Sequence, residues 1–383
     1  MRYSKSKVIN IIYHCSPRTK YRDSIANYIR ALILNSGNRP ICCWGPDDIS
    51  EDMDNPLPPN VTYKSIFKKP KWHFGIIPPT AQFINELNRE YHTCKNSGIF
   101  WLHVWDYAWP FLFNKSNSII LTVHGSGSHT SLRFGKYTVR YFYHKIAEKM
   151  VVKKARLVIA VSEESKLHIL NTITQQQSYK VRYIPTFVDT KIFIPREDLR
   201  IVAKKIGKWP TILFTGRIVK EKRLDRAINA FKLFCLNYPN AIFRIVGSGA
   251  LMSSMKEQTK DMNNIIFIGN VPHHEIVREY QSSDMLLLLS EREGIPLTLL
   301  ESLACGTPAV TSGIGGMPEI ITDGLNGFIV DPDNPAEVAN KMAEIIRIGD
   351  NLRKSSVESV KTFSQDKIVP NIWNDIDLSV FTN

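Results

Sequence analysis

A chain of 383 residues with 43% apolar and 22% charged residues has the make-up of a soluble globular protein, which excludes a disordered or fibrous chain and leaves room for two ordinary domains. The net charge of +13 is uneven: residues 1–190 hold 26 Lys and Arg against 13 Asp and Glu, and the remainder holds 23 of each. The first half therefore faces an anionic surface or substrate on its own. The six cysteines, Cys15, Cys42, Cys43, Cys94, Cys235 and Cys305, show no CxxC and no metal-ligand spacing, so a reduced cytoplasmic setting without disulfide or zinc is expected.

No run of about 18 apolar residues occurs, so no membrane-spanning helix is predicted. The first apolar stretch, VINIIYH, follows only seven residues without a small-residue cleavage site, and reads as a strand rather than a signal peptide. Short β-rich runs then alternate with longer helical stretches, the pattern of βαβ units and a parallel sheet. VINIIYH, RPICCW, IFWLHVW, SIILTVH and RLVIAVS are predicted strands of one doubly wound domain, with a long helix between Leu132 and Lys154. Residues 185–200, with two prolines and no clear period, read as a connector. TILFTGR, AIFRIVG, IIFIGNV, MLLLLS, PAVTS and GFIVD are predicted strands of a second α/β domain. The predicted division is 1–190, a connector at 191–208, a second domain at 209–362, and a C-terminal helix at 363–383 that packs back on the first domain.

The sharpest motif is SEREGIPLTLLESLACGTPAV, in which Glu293 and Glu301 are separated by seven residues at the exit of an apolar strand. Gly294 permits a tight turn, Pro296 suits the first helical turn, and Gly306 is placed to end the helix. A helix N-terminus offers unpaired amides and a partial positive charge, so a diphosphate can dock there without a metal. Glu301 can accept bonds from sugar hydroxyls and Glu293 lies in the loop before the helix; taken singly, the pair also reads as a solvated charge and a capping carboxylate. In ILFTGRIVKEKRLDRAINAF a strand runs into Gly216, Arg217 and Lys222. A planar guanidinium and a mobile ammonium suit a leaving diphosphate, although an exposed basic turn has the same composition. Gly247 and Gly249 in IVGSGA, and Gly315 and Gly316 in SGIGGMPEI, bring backbone close to a phosphate or simply make tight turns. His124 and Gly125 end the strand SIILTVH, where a side chain faces a cleft or sits satisfied in the core.

Together these motifs resemble the large retaining glycosyltransferase family four, most specifically in residues 216–222, 293–308 and 315–330. The resemblance implies the GT-B fold, two facing Rossmann-like domains with the acceptor held in a cleft between them. It also implies roles: Arg217 and Lys222 on the diphosphate, Glu301 on the ribose hydroxyls, and Glu293 and His124 beside the transferred sugar. Backbone amides at Ile295, Leu297 and Thr298 would complete the phosphate site, with Gly216 and Gly294 shaping it. The family's glycine pair after the first strand is absent, with Ser16, Pro17, Arg18 and Thr19 in its place. Thr186 and Phe187 replace an Asn-Gly, and Arg223 replaces the glycine after the motif lysine.

The implied reaction is transfer with retention from a nucleotide-diphosphate-sugar donor to a glycan or lipid-linked acceptor, in surface polysaccharide or glycoconjugate synthesis. No metal and no cofactor are expected, since basic groups stand where a metal would act. Rival readings are a non-catalytic nucleotide-sugar-binding subunit, or an epimerase or phosphorylase of the same architecture. Residues 131–156 hold eight Lys or Arg and five Phe or Tyr. With Lys64, Lys68, Lys69, Lys71 and Trp72, they suggest peripheral contact with an anionic membrane face, or a core-packed helix with a solvated basic side. No nucleic-acid partner is expected.

Overall fold

The computed structural model describes residues 8–14, 24–46, 56–67, 79–94, 98–125, 139–196, 198–199, 201 and 209–381, with backbone only at 67, 79–81, 94 and 139–144. The loop at 16–19, Lys68, Lys69, Lys71, Trp72, residues 131–138 and most of 200–208 lie outside these. The chain divides into two compact units, Met1–Pro185 with Ile368–Asn383, and Thr186–Lys367.

Unit 1 carries a seven-stranded sheet in the order β3-β2-β1-β4-β5-β6-β7, every pairing parallel. Its strands are β1 (Ile9–Ile12), β2 (Ile41–Pro46), β3 (Val61–Phe67), β4 (Ile99–Leu102), β5 (Ser118–Val123), β6 (Leu157–Ala160) and β7 (Val181–Tyr183). β4 and β6 are buried at every position, which explains why they read as continuous apolar runs rather than alternating ones. The crossovers are helices α1 (Ser24–Leu34), α2 (Pro79–Cys94), α3 (Val139–Lys154) and α4 (Glu163–Leu170). Ser162 caps α4 by accepting from Ser165 N–H at 3.1 Å, relieving one of the unpaired amides of the first turn. The expected strands of this half are present. The edge strands β3 and β7 are additions, and their physical reason is position: an edge strand has a neighbouring strand on one side only, its side chains are less covered, and it carries residues such as Lys64 and Arg182.

Unit 2 repeats the plan with six strands in the order β10-β9-β8-β11-β12-β13: β8 (Thr211–Thr215), β9 (Ile242–Val246), β10 (Ile265–Gly269), β11 (Met285–Leu288), β12 (Ala309–Ser312) and β13 (Gly327–Val330). All pairings are parallel. Side chains alternate between two apolar cores. Ile212, Phe214, Met285 and Leu287 pack on one face, and Leu213, Leu286 and Leu288 on the other. Helices α5 (Leu224–Phe234), α6 (Met252–Gln258), α7 (Ile276–Ser282), α8 (Leu297–Ala304), α9 (Pro335–Ile348) and α10 (Asp350–Ser359) cover them. α5 buries Leu224, Ala227, Ile228, Phe231 and Phe234, the spacing of one helical face. Asn334 caps α9 ahead of Pro335.

Residues of the expected connector pack with unit 2, where Val188 and Phe193 are buried in the second core. The chain leaves unit 2 beside its entry, since Val188 N–H donates to Phe363 O and Gln365 N–H to Val188 O, both at 2.9 Å. Helix α11 (Gln365–Ile376) then runs into unit 1. Trp373 Nε1–H donates there to Leu32 O at 3.3 Å, and Arg39 pairs with Asp377 at 2.6 Å.

Candidate functional site

In a doubly wound sheet the strand order reverses once, and the loops leaving the two strands at that point diverge to form a crevice. In unit 2 the reversal lies between β8 and β11, which pair directly. The loops that follow them are residues 216–222 and 289–296, so two motifs about seventy positions apart open from neighbouring strand ends. Lys222 Nζ pairs with Glu293 Oε1, and Ser290 Oγ–H donates to the same oxygen at 2.8 Å. The two side chains are 17% and 11% exposed. Glu291 N–H donates to Glu221 O at 2.8 Å, so backbone as well as side chains tie the loops. Arg217 is exposed and makes no side-chain hydrogen bond or ion pair among the described residues, leaving its guanidinium open to a ligand.

Arg223 has φ 46°, the left-handed region where a side chain costs about 1–2 kcal/mol. That conformation accounts for the glycine expected at this position, and Arg223 is held in it by pairs with Asp225 and Glu291. The glycine motifs act through close approach. A Cβ on Gly247 would stand 1.9 Å from Gly216 O and one on Gly249 2.3 Å from Ile218 O, so the loop after β9 presses on the Arg217 loop. A Cβ on Gly315 would stand 2.2 Å from Glu293 O, and Gly316 N–H donates to Gly294 O at 2.8 Å. The second glycine pair thus grips the Glu293–Gly294 backbone.

Helix α8 begins at Leu297 with Pro296 as its N-cap and no side-chain cap, one residue later than expected. An uncapped first turn leaves amide donors facing the crevice. Thr298 Oγ1 in that turn is buried with no hydrogen-bond partner among the described residues, and Ile295 is buried in the second core. Gly306, with φ 71°, follows the helix as a left-handed terminator. Glu301 is 5% exposed. Its Oε1 meets His273 Nε2 at 2.9 Å and its Oε2 accepts from Tyr280 O–H at 2.8 Å. Burial, with the Glu301 charge second, pushes the Tyr280 phenol well above its usual range and keeps it a donor. Phe193 covers both partners, its ring 5.6 Å from that of His273 and 6.0 Å from that of Tyr280.

In unit 1 the reversal lies between β1 and β4. His14, His103 and His124 follow β1, β4 and β5. His124 Nε2 meets His103 Nδ1 at 2.9 Å, the two rings stacked at 5.2 Å. Burial drives His124 down to about 3 and holds His103 well below the usual imidazole range, the His124 charge adding to the latter. Both rings are therefore neutral near pH 7.

The structure joins Lys222 to Glu293 and sets the Arg217 loop and the start of α8 at adjacent strand ends. Ser290, Tyr280, His273 and His103 are partners that the motifs alone did not announce. For His103 a signal existed, since IFWLH and SIILTVH both end in histidine.

Residues 195–362 match the family described as glycosyl transferases group 1. An uncharacterised glycosyltransferase of Methanocaldococcus jannaschii is 28% identical over 256 residues, 66% of this chain and 64% of that relative, so the match spans less than two thirds of its length. Sucrose-phosphate synthase of Thermosynechococcus elongatus superposes with a TM-score of 0.79 at 18% identity, over 96% of this chain and 98% of that one. HepE of Anabaena, solved with UDP and glucose, superposes at 0.75 and 15% identity, over 96% and 99%. These likenesses carry the fold, which is GT-B with two Rossmann-like units, as the family resemblance implied.

Proposed function

From the match of residues 195–362 to the glycosyl transferases group 1 family, we propose that this chain is a member of it and a retaining glycosyltransferase using a nucleotide-diphosphate-sugar donor and a glycan or lipid-linked acceptor. The observation that carries the reading is the joining of the Lys222 and Glu293 loops at the strand reversal of unit 2, beside an uncapped helix start. Arg217, Lys222 and the amides of Ile295, Leu297 and Thr298 receive the diphosphate, Glu301 the ribose, and Glu293 and His124 serve the transferred sugar. The bond from the anomeric carbon to the β-phosphate oxygen breaks and the acceptor oxygen bonds on the same face. The acceptor proton passes to the departing phosphate. Donors aimed at the developing phosphate charge lower the barrier because they are oriented before the reaction.

A nucleotide-sugar panel tests this by thermal melting. At a hundredfold excess over Kd a ligand stabilises by about 2.7 kcal/mol, so one of the UDP-, GDP- or ADP-sugars is expected to raise the melting temperature by several degrees, with or without EDTA. No rise with any donor overturns the reading; a rise abolished by EDTA overturns the metal-free diphosphate site.

A peripheral membrane contact belongs to the same proposal. Among the described residues no helix is long and apolar enough to cross a membrane, but Lys145, Lys149 and Lys153 are exposed at successive turns of α3, beside Ile146 at 61% exposure. Each cation near anionic lipid gains about 1 kcal/mol. Sedimentation with phosphatidylserine vesicles is expected to fall steeply with salt and to be slight with phosphatidylcholine. Equal absence at low salt rejects the contact.

A further inference from the structure

His124 enters the proposed reaction by its side chain, and a neutral imidazole can do only one of two things at its open nitrogen: donate or accept. The histidine pair leaves room for one proton between His103 Nδ1 and His124 Nε2, which lie 2.9 Å apart. If that proton belongs to His124, His103 must carry its own on Nε2. That atom is buried without a hydrogen-bond partner among the described residues, in a residue only 4% exposed. Orphaned buried N–H groups are rare because they forfeit water without replacement, whereas a bare ring nitrogen asks for less. If the proton belongs to His103, no N–H is orphaned, and His124 must carry its own on Nδ1.

We infer that His103 is a positioning residue that locks His124 in the Nδ1–H tautomer, so that His124 presents a hydrogen-bond donor, not an acceptor, to the oxygen of a sugar hydroxyl. The inference rests on the reading of His124 as a residue of the transfer site. The rings have little freedom to exchange roles. Trp101 stacks on His103 with centroids 5.5 Å apart and a 26° angle. Tyr28 meets His103 edge-on at 5.9 Å and His124 at 5.0 Å. With both imidazoles neutral, the direction of the single shared proton is set by the partner that cannot afford the alternative.

Two-bond proton–nitrogen correlation spectra of protein labelled with ¹⁵N-histidine read the tautomer directly. In the unaltered protein His124 is expected to show a protonated Nδ1 and a bare Nε2; a protonated Nε2 overturns the proposal. His103→Phe keeps the stacked ring but removes the donor, and His124 should then populate both tautomers. His103→Asn places an amide N–H where Nδ1 stood and should restore the single form, keeping the test standing if phenylalanine disturbs the fold. With the best cleaved of UDP-glucose, UDP-N-acetylglucosamine and GDP-mannose, kcat/KM should fall about tenfold in His103→Phe and recover in His103→Asn. An unchanged value in His103→Phe beside a damaged His124→Ala overturns the positioning role. An unchanged value in His124→Ala as well overturns the reading of His124 itself.

Discussion

Lys222→Ala is expected to lower kcat/KM for the donor by about tenfold to a hundredfold, the worth of a charge-assisted contact of about 1.5–3 kcal/mol, and to lower the melting temperature by a few degrees. The second effect follows from the pair with Glu293, which is 11% exposed. Without Lys222, the Glu293 carboxylate keeps only the Ser290 hydroxyl as donor among the described residues, and a largely buried charge that loses its partner destabilises more than the pair itself contributes. Arg217→Ala provides the contrast. Its side chain is exposed and unpaired among the described residues, so donor kinetics should suffer by a similar factor while the melting temperature stays put. Glu293→Gln should lower the melting temperature less than Lys222→Ala does, because the glutamine oxygen still accepts from Ser290 and Lys222, and should lower kcat more than it raises KM. Equal melting losses in Lys222→Ala and Arg217→Ala would refute the distinction. Unchanged donor kinetics in both would refute the phosphate assignment.

The central strands were legible because their chemistry has no competitor. TILFT and MLLL are buried throughout, and a strand covered on both faces must be apolar at every position. Val61–Phe67 and Val181–Tyr183 escaped because edge strands answer to solvent on one side. The chain order also carried part of the site: in a doubly wound unit the first and fourth strands flank the reversal, which sets the loops of Arg217 and Glu293 side by side. What no spacing reveals is who satisfies each charge. His273 and Tyr280 stand 28 and 21 positions before Glu301, and only folding shows that they take both its oxygens. The same holds for the glycines. Gly247, Gly249 and Gly315 read either as plain tight turns or as backbone brought close to a phosphate, and the structure shows a close approach of another kind, one that lets two loops touch. Arg223 shows the reverse relation: a departure from the glycine pattern is accommodated at positive φ by ion pairs to Asp225 and Glu291.

Gly315→Ala should separate backbone strain from loop displacement when set against Gly324→Ala. Both glycines sit at positive φ, 59° and 74°, so each substitution carries a similar conformational cost of about 1–2 kcal/mol. Their surroundings differ. A Cβ on Gly324 would meet nothing within 4 Å, whereas one on Gly315 would stand 2.2 Å from Glu293 O and 2.8 Å from Gly294 O. Both neighbours are backbone and cannot swing aside as a side chain would. Contacts of a real Cβ essentially never fall under 3.0 Å, so the Glu293 carbonyl or the Gly315 loop must move by most of an ångström. A misplacement of about 1 Å at reacting groups costs on the order of a hundredfold in rate. Gly315→Ala is therefore expected to lose about a hundredfold in donor kcat/KM, whereas Gly324→Ala should melt earlier and keep the kinetics of the unaltered protein. Matching kinetics in the two variants would show that the Gly315 contact does not hold Glu293 in place.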